Sequence, residues 1–431
     1  MIKNYIKIAL KVFWRHKFFT AVSLFGICFT LVVLMLATAF IDQQVGPIPP
    51  EVHADRTLYL NWLFVEYASI DPSGPAIQKP SYAFLDRYVR PLKTAEKVTV
   101  FSEVDGRGLR GGAEETGVSV RMTDETFWEV FRFDFLQGRP YTAEEVESGD
   151  FVAVVSADFS RQYFGSEEVV GKSVLMDGQN YRVGGVVADG LILRTRTRAE
   201  VWVPVTTAPP EEWRTYKLTG NFNAAVLARR SADVERIRAE FATVLEQVEP
   251  PPDIRFPPKG VSAALLTTLE EWARENKPDW TEDYKGGEDS QQAAGTRLRL
   301  WLLTLGSYML LFMLLPALHL VNLNIGRIEE RTSEIGVRKS FGASTHTLVG
   351  QFVAENVLLT LVGGALSLPL SWGILGIVSL GGMAYMDVGV LIRTFSYGVL
   401  IAVFFGVVSG AYPAWKMARL HPVRALTGRE K

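Results

Sequence analysis

Residues 328–343 read IEERTSEIGVRKSFGA, and their position in the chain decides the architecture. The stretch is charged and helix-compatible. It hangs between two long apolar runs, Leu300–Asn322 upstream and another that begins near Phe352. A short amphipathic segment wedged between two membrane spans either lies on the bilayer surface or is held by a soluble partner. The second reading makes it a lever through which a separate motor protein moves the membrane helices.

A membrane span needs about 20 mostly apolar residues. Four stretches qualify: Phe18–Ile41, Leu300–Asn322, the uncharged run within Asn356–Met386, and Phe395–Trp415. Gly363, Gly364 and Pro369 would let the third one bend. Ala37-Thr38-Ala39 mimics a signal cleavage site, yet the apolar run before Asp42 is longer than the roughly 7–15 residues of a signal core. The first stretch is therefore expected to stay as a span.

Basic residues orient the set. Lys3, Lys7, Lys11, Arg15 and Lys17 precede the first span; Arg327, Arg331, Arg338 and Lys339 lie between the second and third; Lys416, Arg419, Arg424 and Arg429 follow the fourth. Four crossings put all three clusters on one side, which is then the cytoplasm. Both termini are expected there. Before the first span, Ile2, Tyr5, Ile6, Ala9, Leu10, Phe13 and Trp14 recur at helical spacing, as in an amphipathic helix lying on the inner surface.

Charge divides the chain in the same way. Asp42–Arg297 holds 29 Lys+Arg against 41 Asp+Glu, and the remainder holds 16 against 6. An acidic aqueous domain joined to a membrane part with basic flanks is the expectation, and nothing in it calls for nucleic acid. The single cysteine, Cys28, excludes an intrachain disulfide.

The fold class expected is an α-helical membrane protein with four transmembrane helices and a large α+β extracytoplasmic domain inserted between the first and second. The boundaries are a cytoplasmic amphipathic helix over 1–17, the first transmembrane helix over 18–41, the outer domain over 42–297, and the second transmembrane helix over 298–326. A coupling segment over 327–345 follows, then the third helix over 346–380, a short outer loop over 381–394, the fourth helix over 395–417 and a cytoplasmic tail over 418–431.

In the outer domain, Val118–Met122, Phe151–Val155, Ser173–Met176 and Tyr181–Val187 read as strands, and Asp177-Gly178 as a tight hairpin turn. Helical patterns occupy Pro80–Arg90, Glu125–Phe131, Ala157–Phe164 and Ala232–Gln247. Pro250-Pro251-Pro252 and Pro257-Pro258 mark a stiff joint, after which Ser262–Asn276 is predicted to be helical.

Several chemical motifs fail. GSEEVVGKS over Gly165–Ser173 has five residues between its glycines where a phosphate loop has four, and Glu167 and Glu168 would repel a phosphate. The histidines His16, His53, His319, His346 and His421 are scattered and match no zinc motif. His319, Asn322 and Asn324 at the inner end of the second span suit headgroup or helix contacts better than an ion path. No catalytic residue, cofactor or metal site is expected.

Glu334-Ile335-Gly336-Val337-Arg338-Lys339 with Phe341-Gly342-Ala343 closely resembles the coupling-helix signature of the MacB/FtsX-like permeases of ABC transporters, with Ser340 in place of the usual alanine. Tyr412-Pro413-Ala414 through Pro422-Val423-Arg424-Ala425-Leu426 is similar to that family's C-terminal signature. Asp124–Trp128, Gly138-Arg139-Pro140, Phe164-Gly165, Gly171-Lys172 and Val183–Val187 resemble its periplasmic core domain.

The resemblance implies a multi-pass protein of the bacterial inner membrane that is itself non-catalytic. A separate ABC ATPase dimer would grip Glu334, Ile335, Gly336, Val337, Arg338, Lys339, Phe341 and Gly342. A second permease chain, identical or related, would complete the pair, among membrane lipids. The resemblance also admits a periplasmic adaptor and an outer-membrane channel. The implied function is efflux or extraction of a peptide, drug, lipoprotein or lipid. The alternatives are an FtsX-like signalling permease that regulates envelope hydrolases, and an ATP-independent membrane sensor.

Overall fold

The computed structural model describes residues 13–15, 17–67, 76–109, 116–189, 196–251, 258–270 and 344–380, with isolated positions between 300 and 342 and between 392 and 407. It divides into two compact units, one of Met1–Asp42 with Leu303–Lys431 and the other Gln43–Leu302. The chain enters through α1 (Lys17–Val45), whose uncharged interior supplies a stretch long and apolar enough to cross a membrane, Thr20–Phe40. Residues 13–15 are also helical; the rest of the expected amphipathic helix lies outside the described residues.

The second unit follows. It begins with β1 (Thr57–Leu60), β2 (Leu63–Tyr67), β3 (Ala76–Gln78), α2 (Tyr82–Tyr88), β4 (Ala95–Ser102), β5 (Asp105–Leu109) and β6 (Thr116–Thr123). Next come α3 (Phe127–Val130), β7 (Phe135–Gly138), α4 (Ala143–Ser148), β8 (Val152–Ser156), α5 (Ala157–Phe164), β9 (Ser173–Met176) and β10 (Gln179–Val187). The last are β11 (Val201–Pro204), α6 (Pro210–Trp213), β12 (Phe222–Ala228), α7 (Val234–Leu245), β13 (Pro258–Ala263) and β14 (Leu266–Thr267). This is the α+β mixture expected.

Local chemistry places many of these ends. Ser156 starts α5 by accepting a bond from the Phe159 N–H at 3.1 Å, and Gly165, in the left-handed region at φ 67°, stops it. Thr142 and Glu145 form a reciprocal capping box on α4. Asp177 and Gly178 both have positive φ, 47° and 80°, the geometry that a two-residue turn between twisted antiparallel strands requires. Met176 accordingly pairs with Gln179.

Strand pairing runs β11-β8-β10-β9-β5-β6, and β6 pairs again with β11, closing a ring. Closure removes exposed edges from those strands. From β6 the sheet branches through β4, β12, β1 and β14, while β13, β2 and β3 make a separate small sheet. Two of the ring's pairings are parallel, β8 with β10 and β6 with β11.

Alternation along the strands serves two cores. Ala153, Val155, Val183, Val201 and Val203 enter one cluster, whereas Val152, Val154, Val187 and Trp202 enter a second, aromatic one. With both faces buried, such strands are apolar throughout. In the aromatic core Phe127 lies 4.9 Å from Phe131 and 5.4 Å from Trp128, and Trp128 packs edge-on to Trp202.

Asp124 ties this core to its neighbours. Its carboxylate accepts from Thr99 Oγ1 at 2.6 Å, the Val100 N–H at 2.9 Å, the Phe127 N–H at 3.0 Å and Arg90 Nη2 at 2.9 Å. Burial pushes its carboxyl up, while Arg90, Thr99 and Val100 pull it back. Gly138, at φ 66°, lets β7 approach β10 so closely that a Cβ would stand 2.1 Å from the Gly184 carbonyl oxygen.

The helix predicted over Ser262–Asn276 is corrected across its first turns, where Ser262-Ala263 end one strand and Leu266-Thr267 form another. Ala263 and Leu265 enter one cluster and Ala264 and Leu266 another, so the spacing there has period two. Residues 268–270 are helical, and the remainder of the predicted helix lies outside the described residues.

The first unit resumes with α8 (Thr345–Leu380), a 36-residue helix that carries Pro369 inside it. Its apolar stretch, Val349–Ile377, is the second one long enough to cross a membrane among the described residues. The expected second and fourth spans, 298–326 and 395–417, lie mostly outside those residues.

Candidate coupling segment and its helix pair

Of the eight residues expected to couple, the structure describes three; Glu334, Ile335, Gly336, Arg338 and Lys339 lie outside the described residues. Val337 is helical, and its carbonyl accepts from the Phe341 N–H at 3.1 Å, an i→i−4 bond. Gly342 then turns into the left-handed region at φ 87°, as a helix-terminating glycine does. Ser344 caps α8 by accepting from the Thr347 N–H at 3.2 Å. One helical segment therefore stops and another starts within three residues. Phe341 is 88 % exposed and Val337 45 % exposed, so both offer apolar surface to the outside of this chain.

Downstream, one face of α8 is buried: Gln351, Glu355, Leu359, Thr360, Gly363, Gly364, Ser367 and Ser371. On α1 the buried face repeats every four residues, Ser23, Ile27, Leu31, Met35 and Ala39. The two faces meet. Leu359 packs with Ile27 and Leu31. A Cβ on Gly363 would lie 2.6 Å from Ile27 Cγ2, and one on Gly364 would lie 3.8 Å from Leu31 Cδ1. Ser367 Oγ and Ser371 Oγ lie 4.0 Å and 3.6 Å from Met35 Sδ. Numbers rise together on both helices, so α1 and α8 run parallel. A Cβ on Gly364 would also lie 3.6 Å from Cγ2 of Val399, a residue of the expected fourth span.

The sequence assigned Gly363 and Gly364 to bending, whereas the structure uses Gly363 for close packing. Gly363, Ser367 and Ser371, spaced four apart, were the available signal, since small residues at that spacing admit a neighbouring helix. Gly165–Ser173 serves as a structural turn: the Gly171 N–H bonds the Val183 carbonyl at 2.8 Å, and Lys172 Nζ lies over the Phe164 ring.

Residues 20–244 match the model of the MacB-like periplasmic core domain, and residues 306–422 that of the FtsX-like permease C-terminal region. Among curated relatives, the ABC transporter permease YknZ of Bacillus subtilis is 27% identical over 80% of this chain and 79% of its own length. The macrolide export ATP-binding/permease protein MacB of Bdellovibrio bacteriovorus is 26% identical over 67% of this chain, which spans 40% of that protein. The pyoverdine export ATP-binding/permease protein PvdT of Pseudomonas aeruginosa is 25% identical over 98% of this chain and 58% of its own length. Solved structures that resemble parts of it include the extracellular domain of YknZ, with TM-score 0.35 and 18% identity over 48% of this chain and 99% of that one. The periplasmic region of MacB from Actinobacillus actinomycetemcomitans gives TM-score 0.36 and 17% identity over 52% of this chain and 94% of that one. With the periplasmic core over its first half and the permease region over its last quarter, this chain belongs to the MacB/FtsX-like permeases of ABC transporters.

Proposed function

We propose that the chain transmits ATP-driven motion from a separate ABC ATPase dimer to its extracytoplasmic unit, for efflux or extraction of a substrate. One observation carries this reading. The turn at Gly342 feeds directly into α8, α8 packs along α1, and α1 leads by chain continuity into the unit that begins at Gln43. A push at Phe341 thus has a short covalent and packed route outward. The relatives named for macrolide and pyoverdine export favour efflux over a purely signalling role.

Parallel packing of α1 and α8 supports the four-span arrangement with cytoplasmic termini. If both cross the membrane in the same direction, an odd number of crossings must separate them, and Leu300–Asn322 is the apolar run available. In this reading the complex contains two permease chains, identical or related, with an adaptor and an outer-membrane channel as further partners.

Two measurements test the proposal. Cysteines at Glu211 and Ser344, in a Cys28→Ser background, should label from opposite faces of intact membranes; labelling from the same face rejects the topology. The chain isolated from native membranes should bring down an ABC ATPase and hydrolyse ATP only with it. Turnover by the rigorously purified chain alone would reject the division of labour.

A further inference from the structure

In a bilayer, helices gain little from hiding apolar surface from each other, because lipid is as apolar as leucine; close packing and interhelical hydrogen bonds hold them instead. The α1–α8 seam has both. At its centre, Ile27 fills the space above Gly363, with 2.6 Å from its Cγ2 and 3.1 Å from its Cβ to the point where a glycine Cβ would stand. Isoleucine in a helix is nearly confined to one χ1 rotamer, so this knob cannot swing aside. One turn towards Ser344, Leu359 closes over Ile27 and Leu31. On the other side, the buried Ser371 hydroxyl donates to the Met35 thioether at 3.6 Å, while the buried Ser367 hydroxyl donates to the Gly364 carbonyl of its own helix at 2.8 Å and packs against Met35. The opposite faces are apolar and exposed, with Phe25 and Phe29 on α1 and Leu366, Leu370 and Trp372 on α8.

We infer that Ile27 and Gly363 lock α1 to α8, so that the two helices move as one rigid strut and Gly363 positions that strut. Sliding α8 along α1 would drive Ile27 into a residue with a side chain on the same buried face, Leu359 on one side of Gly363 or Ser367 on the other. The inference rests on the proposal that the segment around Phe341 moves α8. It adds that α8 takes α1 with it and does not slide past it.

The spacing offers a direct test. A separation of 3.1 Å between the Ile27 Cβ and the Cβ position of residue 363 is close to disulfide range, where Cβ atoms stand roughly 3.5–4.5 Å apart. Ile27→Cys with Gly363→Cys, in the Cys28→Ser chain with its co-purifying ATPase in lipid nanodiscs, should oxidise to an intrachain bond. The readout is the change in amide hydrogen exchange of residues 43–60 when ATP is added. A rigid strut keeps at least half of that change after oxidation. Its loss on oxidation and return on reduction would overturn the inference, as would failure of the pair to oxidise. Gly363→Val should reduce the ATP-dependent change at least tenfold while the ATPase still co-purifies, and an unaltered response would also overturn it. If the unmodified chain binds no ATPase, the parent proposal fails, and this inference fails with it.

Discussion

Valine at position 342 should sever ATP-driven motion from the outer unit while the chain still inserts and accumulates. Gly342 has φ 87°, and among the described residues no atom lies within 4 Å of where its Cβ would be, so the expected effect is on the backbone. Left-handed φ costs an L-residue about 1–2 kcal/mol, and β-branching adds to that. The turn would relax to another geometry and re-aim the segment that carries Phe341 relative to α8. We expect at least a tenfold loss in the ATP-dependent exchange change at residues 43–60. Asparagine, which tolerates left-handed φ, should retain most of the response. Phe341→Ala, at an exposed position, should leave folding within about 0.5 kcal/mol of normal yet weaken ATPase co-purification as loss of an apolar anchor does. Full coupling in Gly342→Val and Phe341→Ala together would mean that the ATPase engages elsewhere.

Asp124→Ala should be the most damaging single change in the outer unit. It strips four donors of their acceptor, the buried Val100 and Phe127 N–H groups among them, whereas Arg90 keeps a second partner in Asp86 at 2.7 Å. Each buried donor left without an acceptor costs about 1–3 kcal/mol, so the orphaned Val100 and Phe127 N–H groups and Thr99 hydroxyl together cost about 3–5 kcal/mol. For a domain of this size that is on the order of 10 °C in melting temperature. Asp124→Asn keeps the volume and some acceptor capacity and should fall between. Hydrogen exchange at Val100 and Phe127 in the full-length chain would report the loss; wild-type protection in Asp124→Ala would show that the hub is dispensable.

Much of the outer unit could be read residue by residue wherever a local signal existed. The helix predicted over Ala157–Phe164 spans those residues, because Ser156 and Gly165 are strong start and stop signals. The hairpin at Asp177-Gly178 was legible for the same kind of reason. Closure of the ring was not. It depends on pairings such as Val201 with Val120 and Arg182 with Val152, which are long-range, and no local spacing encodes them. Val201–Pro204 and Phe222–Ala228 are buried along their whole length, and a short apolar run of that kind does not reveal whether it is strand or helix. In the membrane unit, the turn at Gly342 followed from the rule for helix-ending glycines, whereas the partner of Gly363 could be found only in space.

The parallel pair also has a length problem. The apolar stretch of α1 has 21 residues and that of α8 has 29, which at ~1.5 Å per residue is a difference of about 12 Å. Counted back from the clasp, Ile27 is 7 residues from the start of its stretch at Thr20, whereas Gly363 is 14 from Val349. Most of the surplus therefore lies at the Ser344 end of α8, in one leaflet. A hydrocarbon core of about 30 Å matches α1 but not α8, and such mismatch is relieved by tilting or by local thickening of the bilayer. In the proposed arrangement, lipid chain length bears on the turns of α8 that follow Phe341, so membrane thickness would be a second mechanical input to the permease.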